Sequence, residues 1–111
     1  MDEKRIEWEG DSYQVICGFP ELARRDAGFQ LGLIQAGRKP IDWKPMPSIG
    51  AGVQEIRINA GGAYRIIYIA KYLEAIYVLH AFIKKTQETS RHDIDKGKER
   101  YKKLLEHRNE R

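Results

Sequence analysis

Arg57, Arg65, Lys84 and Lys85 are the residues of this chain whose types and positions best suit chemistry. The two arginines stand inside strand-like runs, and the two lysines close the apolar run Ala75 to Ile83. Guanidinium and ammonium groups fixed on rigid strands bind phosphodiester oxygens. They also stabilise the extra negative charge that develops when the phosphorus is attacked. A site of this kind requires no metal. Phe82 and Tyr68 lie in the same runs and offer planar surfaces on which a base can stack, a contact of about 1–3 kcal/mol per base. Arg65 is the one charge in Tyr64-Arg65-Ile66-Ile67-Tyr68, and a mid-strand guanidinium must be paired or must face a groove. The purely structural alternative is an ion pair of Glu55 with Arg65 or with Arg57.

The elements that must hold these residues can be read from pattern. Val53–Asn59, Ala63–Ala70 and Ala75–Ile83 are β-branched and aromatic and are joined by short turns, so they predict an antiparallel meander. Ala75–Ile83 is apolar on both faces, which predicts an inner strand covered by helix. Tyr13–Gly18 reads as a further, N-terminal strand, with Cys17 as a small core residue on it. Pro20 suits a helix start. From Glu21 to about Ala36, Leu22, Phe29, Leu33 and Ile34 recur at helical spacing, predicting the buried face, with Gly37 as the stop. Residues 37–52, rich in Pro and Gly, predict a long loop pinned by Ile41, Trp43 and Met46. Ser90 begins a C-terminal helix, with Asp93 completing a capping box in shortened form. That helix carries Ile94, Tyr101, Leu104 and Leu105 on one face and a basic outer side with Arg91, Lys96, Lys98, Arg100 and Lys103.

At 111 residues the chain predicts one α+β domain over 1–111. No run is long and apolar enough to span a bilayer, and the charged opening Met1-Asp2-Glu3-Lys4-Arg5 leads into no secretory segment. The expected compartment is the cytoplasm. A lone cysteine excludes an internal disulfide and cysteine-rich metal sites. His80, His92 and His107 lack ligand spacing, so neither a metal nor another cofactor is expected. His80, in the apolar run, reads as a hydrogen-bonded core histidine. His92, beside Arg91, suits a general acid or base near neutral pH, or is a solvated residue of the helix start. Residues 1–83 carry ten Lys/Arg against ten Asp/Glu, and 84–111 carry ten against six. The whole basic excess therefore sits in the last quarter, the footprint of a polyanion partner or of a solvated helix.

Three segments, Val53-Gln54-Glu55-Ile56-Arg57, Tyr64-Arg65-Ile66-Ile67-Tyr68 and His80-Ala81-Phe82-Ile83-Lys84-Lys85-Thr86-Gln87, followed by a basic helix, resemble the HigB-like, phage-derived branch of the RelE/ParE toxin superfamily. The resemblance runs from about Tyr13 to Leu105. It implies a RelE-like microbial RNase-type fold and a type II toxin neutralised by a small antitoxin, often a helix-turn-helix protein. It also implies ribosome-dependent, metal-free cleavage of mRNA, with the substrate's own 2′-hydroxyl as nucleophile. Carried onto matching positions, Arg65 contacts the scissile phosphate and Lys84 or Lys85 stabilises the transition state. Arg57 binds an adjacent phosphate, and Phe82 orients a base. No residue matches the general base unambiguously; His92 and Tyr101 are the candidates. The competing readings are a ParE-like protein that inhibits DNA gyrase by contact, and a phage-derived relative that keeps the fold without activity.

Overall fold

The computed structural model describes residues 3–108; Met1 and Asp2 of the charged opening and positions 109–111 of the expected domain lie outside them. Strands β1 (Arg5–Trp8), β2 (Trp43–Pro45), β3 (Val53–Asn59), β4 (Ala63–Ile69) and β5 (Ala75–Ile83) form one sheet in the order β1-β5-β4-β3-β2. Every pairing is antiparallel except β1 with β5. Helices α1 (Ser12–Cys17) and α2 (Glu21–Gln35) cover one face, and α3 (Arg91–His107) covers part of the other. This is the expected α+β meander, and β5 is an inner strand along its first half.

Register decides which side chains meet. Lys44, Glu55, Ile67 and His80 lie in one row across β2, β3, β4 and β5, and Arg57, Arg65 and Phe82 lie in the next. Residues directly opposite share a face, and so do residues two apart. β5 has one irregularity. Tyr68 pairs with Val78 and Ile67 with His80, so Leu79 is an unpaired extra residue. A bulge of this kind reverses side-chain parity. Ile76 and Val78 therefore pack under α2, while Leu79, His80 and Phe82 all turn towards α3.

Five expectations are corrected. Tyr13–Gly18 is not a strand: residues 12–17 form α1, burying Ser12 and Ile16 four positions apart and leaving Cys17 exposed. The N-terminal strand of the sheet is instead β1, paired with β5, so tertiary pairing overrides local β preference. In α2 the sheet-facing stripe is Ala23, Ala27, Leu31 and Ile34, while Leu22 and Phe29 are 67% and 57% exposed. Small alanines let the helix lie close to the sheet, which larger residues on that stripe would prevent. The Pro-rich stretch contains β2, an edge strand where Pro45 sacrifices no inner ladder bond. Met46 pins it as expected, but Ile41 is exposed.

Helix ends follow the sequence more closely. Gly37 stops α2 at φ +80, with Arg38 N–H returning to Leu33 O (2.8 Å) and Gly37 N–H to Ile34 O (3.0 Å). Ser90 Oγ caps α3 by accepting from Asp93 N–H (3.1 Å), and its own proton goes to Asp93 Oδ2 (2.6 Å).

Candidate functional site

The α3-facing side of the sheet is shared between two uses. Towards the Val53 end, Met46, Ile49 and Leu104 seal Val53, Ile67, Ile69 and Leu79. Towards the Arg57 end no helix among the described residues lies over the strands, and four cations occupy that surface. Lys44, Arg57 and Arg65 come from β2, β3 and β4. Lys84 joins them just past β5, where its N–H bonds Ala63 O (2.8 Å) and so keeps the parity of Phe82.

Glu55 organises the group. Its side chain is fully buried, with Oε1 3.8 Å from Arg65 Nε and 3.9 Å from Lys44 Nζ, and with Oε2 accepting from Thr89 Oγ1 at 3.0 Å. The expected pair is thus Glu55 with Arg65. Arg57 instead stands 3.9 Å from Asp42. Arg65 also donates through Nη1 to Tyr64 O (2.9 Å), which fixes the guanidinium plane. Among the described residues neither Arg65 Nε nor Glu55 Oε1 has a hydrogen-bond partner, so the two attract as charges. Burial lowers the basicity of Arg65; Glu55 opposes this and Arg57 adds to it. Arginine remains protonated regardless. The Lys84 ammonium lies below the usual lysine range through desolvation first and the Arg65 charge second. Lys84 is therefore a cation held among cations.

The remaining expected site residues separate into near and far. Phe82 lies beside Arg65, largely buried, with its ring stacked on His80 at 5.3 Å. Lys85 is exposed next to Lys84, and both line a cleft of about 460 Å³ with Val15, Ile83, Ser90 and Asp93. Tyr68 is placed on the opposite face, buried under α2, donating to Gln54 Oε1 at 2.7 Å. Burial pushes its phenol well above the usual range. It cannot stack on anything bound among the cations. His92 is exposed on the first turn of α3, and Arg91 beside it pairs with Asp95 at 3.5 Å. Lys98 is exposed further along the helix. Tyr101 packs against Gly50, with its hydroxyl 3.5 Å from Ala51 O, at the Val53 end and away from the cations.

His80 is the core histidine expected. Its Nδ1 lies 3.2 Å from Arg100 Nη1, and because guanidinium only donates, Nδ1 accepts and Nε2–H donates to Asp93 Oδ1 at 2.8 Å. Burial lowers its pKa, with Asp93 opposing. Arg100 continues to Leu79 O (3.1 Å) and to Asp11 (2.9 Å), joining α3, β5 and the start of α1. For the Asp11 carboxyl, burial pulls upward but the bond and charge of Arg100 prevail and hold it low.

Lys44 was missed from the sequence because it sits in the Pro-rich stretch, where side-chain parity has no meaning until β2 is known. No group of three His, Cys, Asp or Glu among the described residues is placed to hold a metal ion. Chemically, the arrangement suits an anion: one clamped, buried guanidinium, three half-buried cations, a buried counter-charge in Glu55 and a second carboxylate, Asp42, beside Arg57.

A family model described as Phage derived protein Gp49-like matches residues 14–102, from α1 to the last turns of α3. The chain belongs to this family. It is a phage-derived, toxin-like family, and the matched span contains all four cations together with Glu55, Phe82 and Thr89. No curated protein matches the sequence. Among the described residues no helix is long and apolar enough to cross a membrane.

Proposed function

We propose that this member of the Gp49-like family is a HigB-like toxin of a type II toxin–antitoxin pair, a metal-independent endoribonuclease that cuts mRNA on the ribosome in the cytoplasm. The observation that supports the reading is the convergence of half-buried Lys44, Arg57 and Lys84 with buried Arg65 on one sheet face around Glu55. Two carboxylates, buried Glu55 and Asp42, stand among these four cations, which leaves an excess of positive charge on the face. A bound phosphodiester offsets that excess.

In this reading the 2′-oxygen of the substrate attacks the adjacent phosphorus, and the P–O5′ bond breaks. The products are a 2′,3′-cyclic phosphate and a 5′-hydroxyl; one proton leaves the 2′-hydroxyl and one reaches the 5′-oxygen. Arg65, held by Tyr64 O and Glu55, faces the non-bridging oxygens and gains most as they take up charge. Lys84, with its lowered pKa, is the better placed of the two lysines to stabilise or protonate the leaving oxygen. Arg57 and Lys44 hold neighbouring phosphates. The antitoxin, a small partner expected to be of helix-turn-helix type, acts by covering this face.

The test is cleavage of ribosome-bound mRNA carrying a single 2′-deoxynucleotide at the cut site. The reading predicts that cleavage moves or stops there and that the ordinary message gives 5′-hydroxyl ends. Cutting at the deoxy position, or loss of activity on chelation of divalent metal with the ribosome intact, contradicts it.

A further inference from the structure

The face of the sheet opposite the cation cluster holds a second basic site. A pocket of about 190 Å³ opens where the end of α2 meets β3 and β4, lined by Lys4, Arg38, Lys39, Gln54 and Tyr68, with Ile34 and Pro40 as its apolar wall. Gly37 turns the chain out of α2 at φ +80 and so brings Arg38 and Lys39 to the opening. Lys4 is tied to the helix end: its N–H donates to Gln35 O (3.3 Å), and Gln35 Nε2 donates to Lys4 O (2.8 Å). The Lys4 ammonium donates one proton to Ala70 O (2.8 Å), and Lys39 rests over the Trp43 ring at 4.6 Å. Gln54 accepts from Tyr68 through Oε1 at 2.7 Å, and its NH2 has no partner among the described residues. No carboxylate lines the pocket, and among the described residues none pairs with Lys4, Arg38 or Lys39. Cations past a helix C-terminus complement its dipole, but that end carries only about half a unit of negative charge. Its last carbonyls are also satisfied, Leu33 O by Arg38 N–H (2.8 Å), Ile34 O by Gly37 N–H (3.0 Å) and Gln35 O by Lys4. Three cations exceed what the helix end can use.

We infer that this pocket is a second phosphate subsite for RNA, holding a backbone phosphate of a strand whose other part lies on the cation face. Guanidinium, ammonium and amide NH2 groups all donate, as the acceptor oxygens of a phosphate require. The pocket is smaller than the roughly 300–1,000 Å³ that encloses a whole small-molecule ligand, so it suits one anionic group of a longer chain. The two sites lie back to back across β2, the edge strand. Trp43 pairs with Ile56 and carries Lys39 on the α2 side, whereas its neighbour Lys44 turns to Glu55 on the other. A single strand that rounds this edge passes from Lys44 to Lys39 and Arg38; Asp42, at the same edge, is offset by Arg57 3.9 Å away. An acidic protein segment is the poorer occupant, because this path continues the surface that the cation face presents to phosphodiesters. The inference rests on the RNA half of the toxin reading, but its test requires no cleavage.

The experiment is an NMR titration of the intact isotope-labelled protein with 2′-O-methyl oligouridines of about four and about twelve nucleotides, which cannot be cut through the 2′-oxygen, and with inorganic phosphate and polyglutamate. The longer oligonucleotide is expected to shift the Gly37 and Arg38 amides and the Gln54 side-chain NH2 together with the cation face, and the shorter one the cation face alone. Arg38→Ala is expected to remove the Gln54 response and to lower the logarithmic salt slope for the longer oligonucleotide by about 0.7, the share of one phosphate. Arg38→Lys, which keeps the charge, restores the slope. Pocket signals that move with phosphate or polyglutamate but not with the longer oligonucleotide overturn the inference, as does an unchanged slope in Arg38→Ala. A silent pocket beside a responding cation face refutes this subsite alone. A cation face that ignores both oligonucleotides refutes the RNA reading and the subsite with it.

Discussion

Glu55 is the residue on which the cation face depends. A buried carboxylate removed from between two cations leaves an uncompensated charge, and breaking such pairs costs roughly 3–5 kcal/mol. Glu55→Ala is expected near the lower end, because Lys44 is partly solvated and water screens it; urea unfolding measures the loss. Thr89→Val removes only the hydroxyl bond to Glu55 and is expected to cost about 1 kcal/mol. An equal loss in both variants would show that the hydroxyl bond, rather than the charge, dominates. Arg57, Arg65, Phe82 and Lys84 were legible in the sequence because strand alternation assigns faces without knowing the fold, whereas Lys85 stands exposed in the neighbouring cleft. Tyr68 was not, since sequence neighbours in a strand point oppositely, and the face it takes is settled only by where α2 packs. Of the two readings given to His92, its exposure on the first turn of α3 agrees with the solvated residue of a helix start.

α3 is held on the sheet by a polar network and by apolar packing of Ile94, Tyr101 and Leu104. At its start is the His80, Asp93 and Arg100 network. His80 has a folded-state pKa below the ordinary 6.5, so below about that pH the unfolded chain binds more protons than the folded one. This contribution to stability is complete above 6.5 and is lost as pH falls through the lowered value. Unfolding midpoints are expected to drop on acidification in that window, and His80→Gln is expected to flatten the drop. A profile unchanged by His80→Gln would show that another group titrates. In the apolar part, a Cβ on Gly50 would clash with the Tyr101 ring. Gly50→Ala must therefore displace Tyr101 and is expected to cost about 1–3 kcal/mol by overpacking, read from thermal unfolding. The meander, the Gly37 stop and the Ser90 cap were legible because each has a local chemical signature. α1 was not, for its β-branched residues suit a strand and only competition from β1 excludes them. The buried stripe of α2 was misread because size was taken as the mark of burial, whereas close approach to the sheet selects Ala23 and Ala27.

The charge of the whole chain misleads unless the pairing is known. The surplus lies after Ile83, yet much of it is engaged: Arg91 with Asp95, Lys96 and Lys103 with Glu99, Arg100 with Asp11, and Arg108 with Glu74. Three of the four cations of the site come instead from the electrically balanced first part, where one face collects them. Binding to single-stranded RNA should therefore weaken with salt in proportion to a few phosphates, about 0.7 in the logarithmic slope for each. Lys44→Ala is expected to lower that slope by about one such step, while Lys98→Ala, on the outer side of α3, leaves it unchanged. Filter binding across a salt series decides between them.

The most direct measurement is the mapping of mRNA 5′ ends in cells shortly after this protein is induced alone, beside its Arg65→Ala variant shown to be folded. New 5′-hydroxyl ends within translated codons, present with the natural protein and absent with Arg65→Ala, are the result expected of a cation-face ribonuclease. Identical ends with both proteins, or growth arrest with intact mRNA and gyrase-dependent DNA damage, would contradict it.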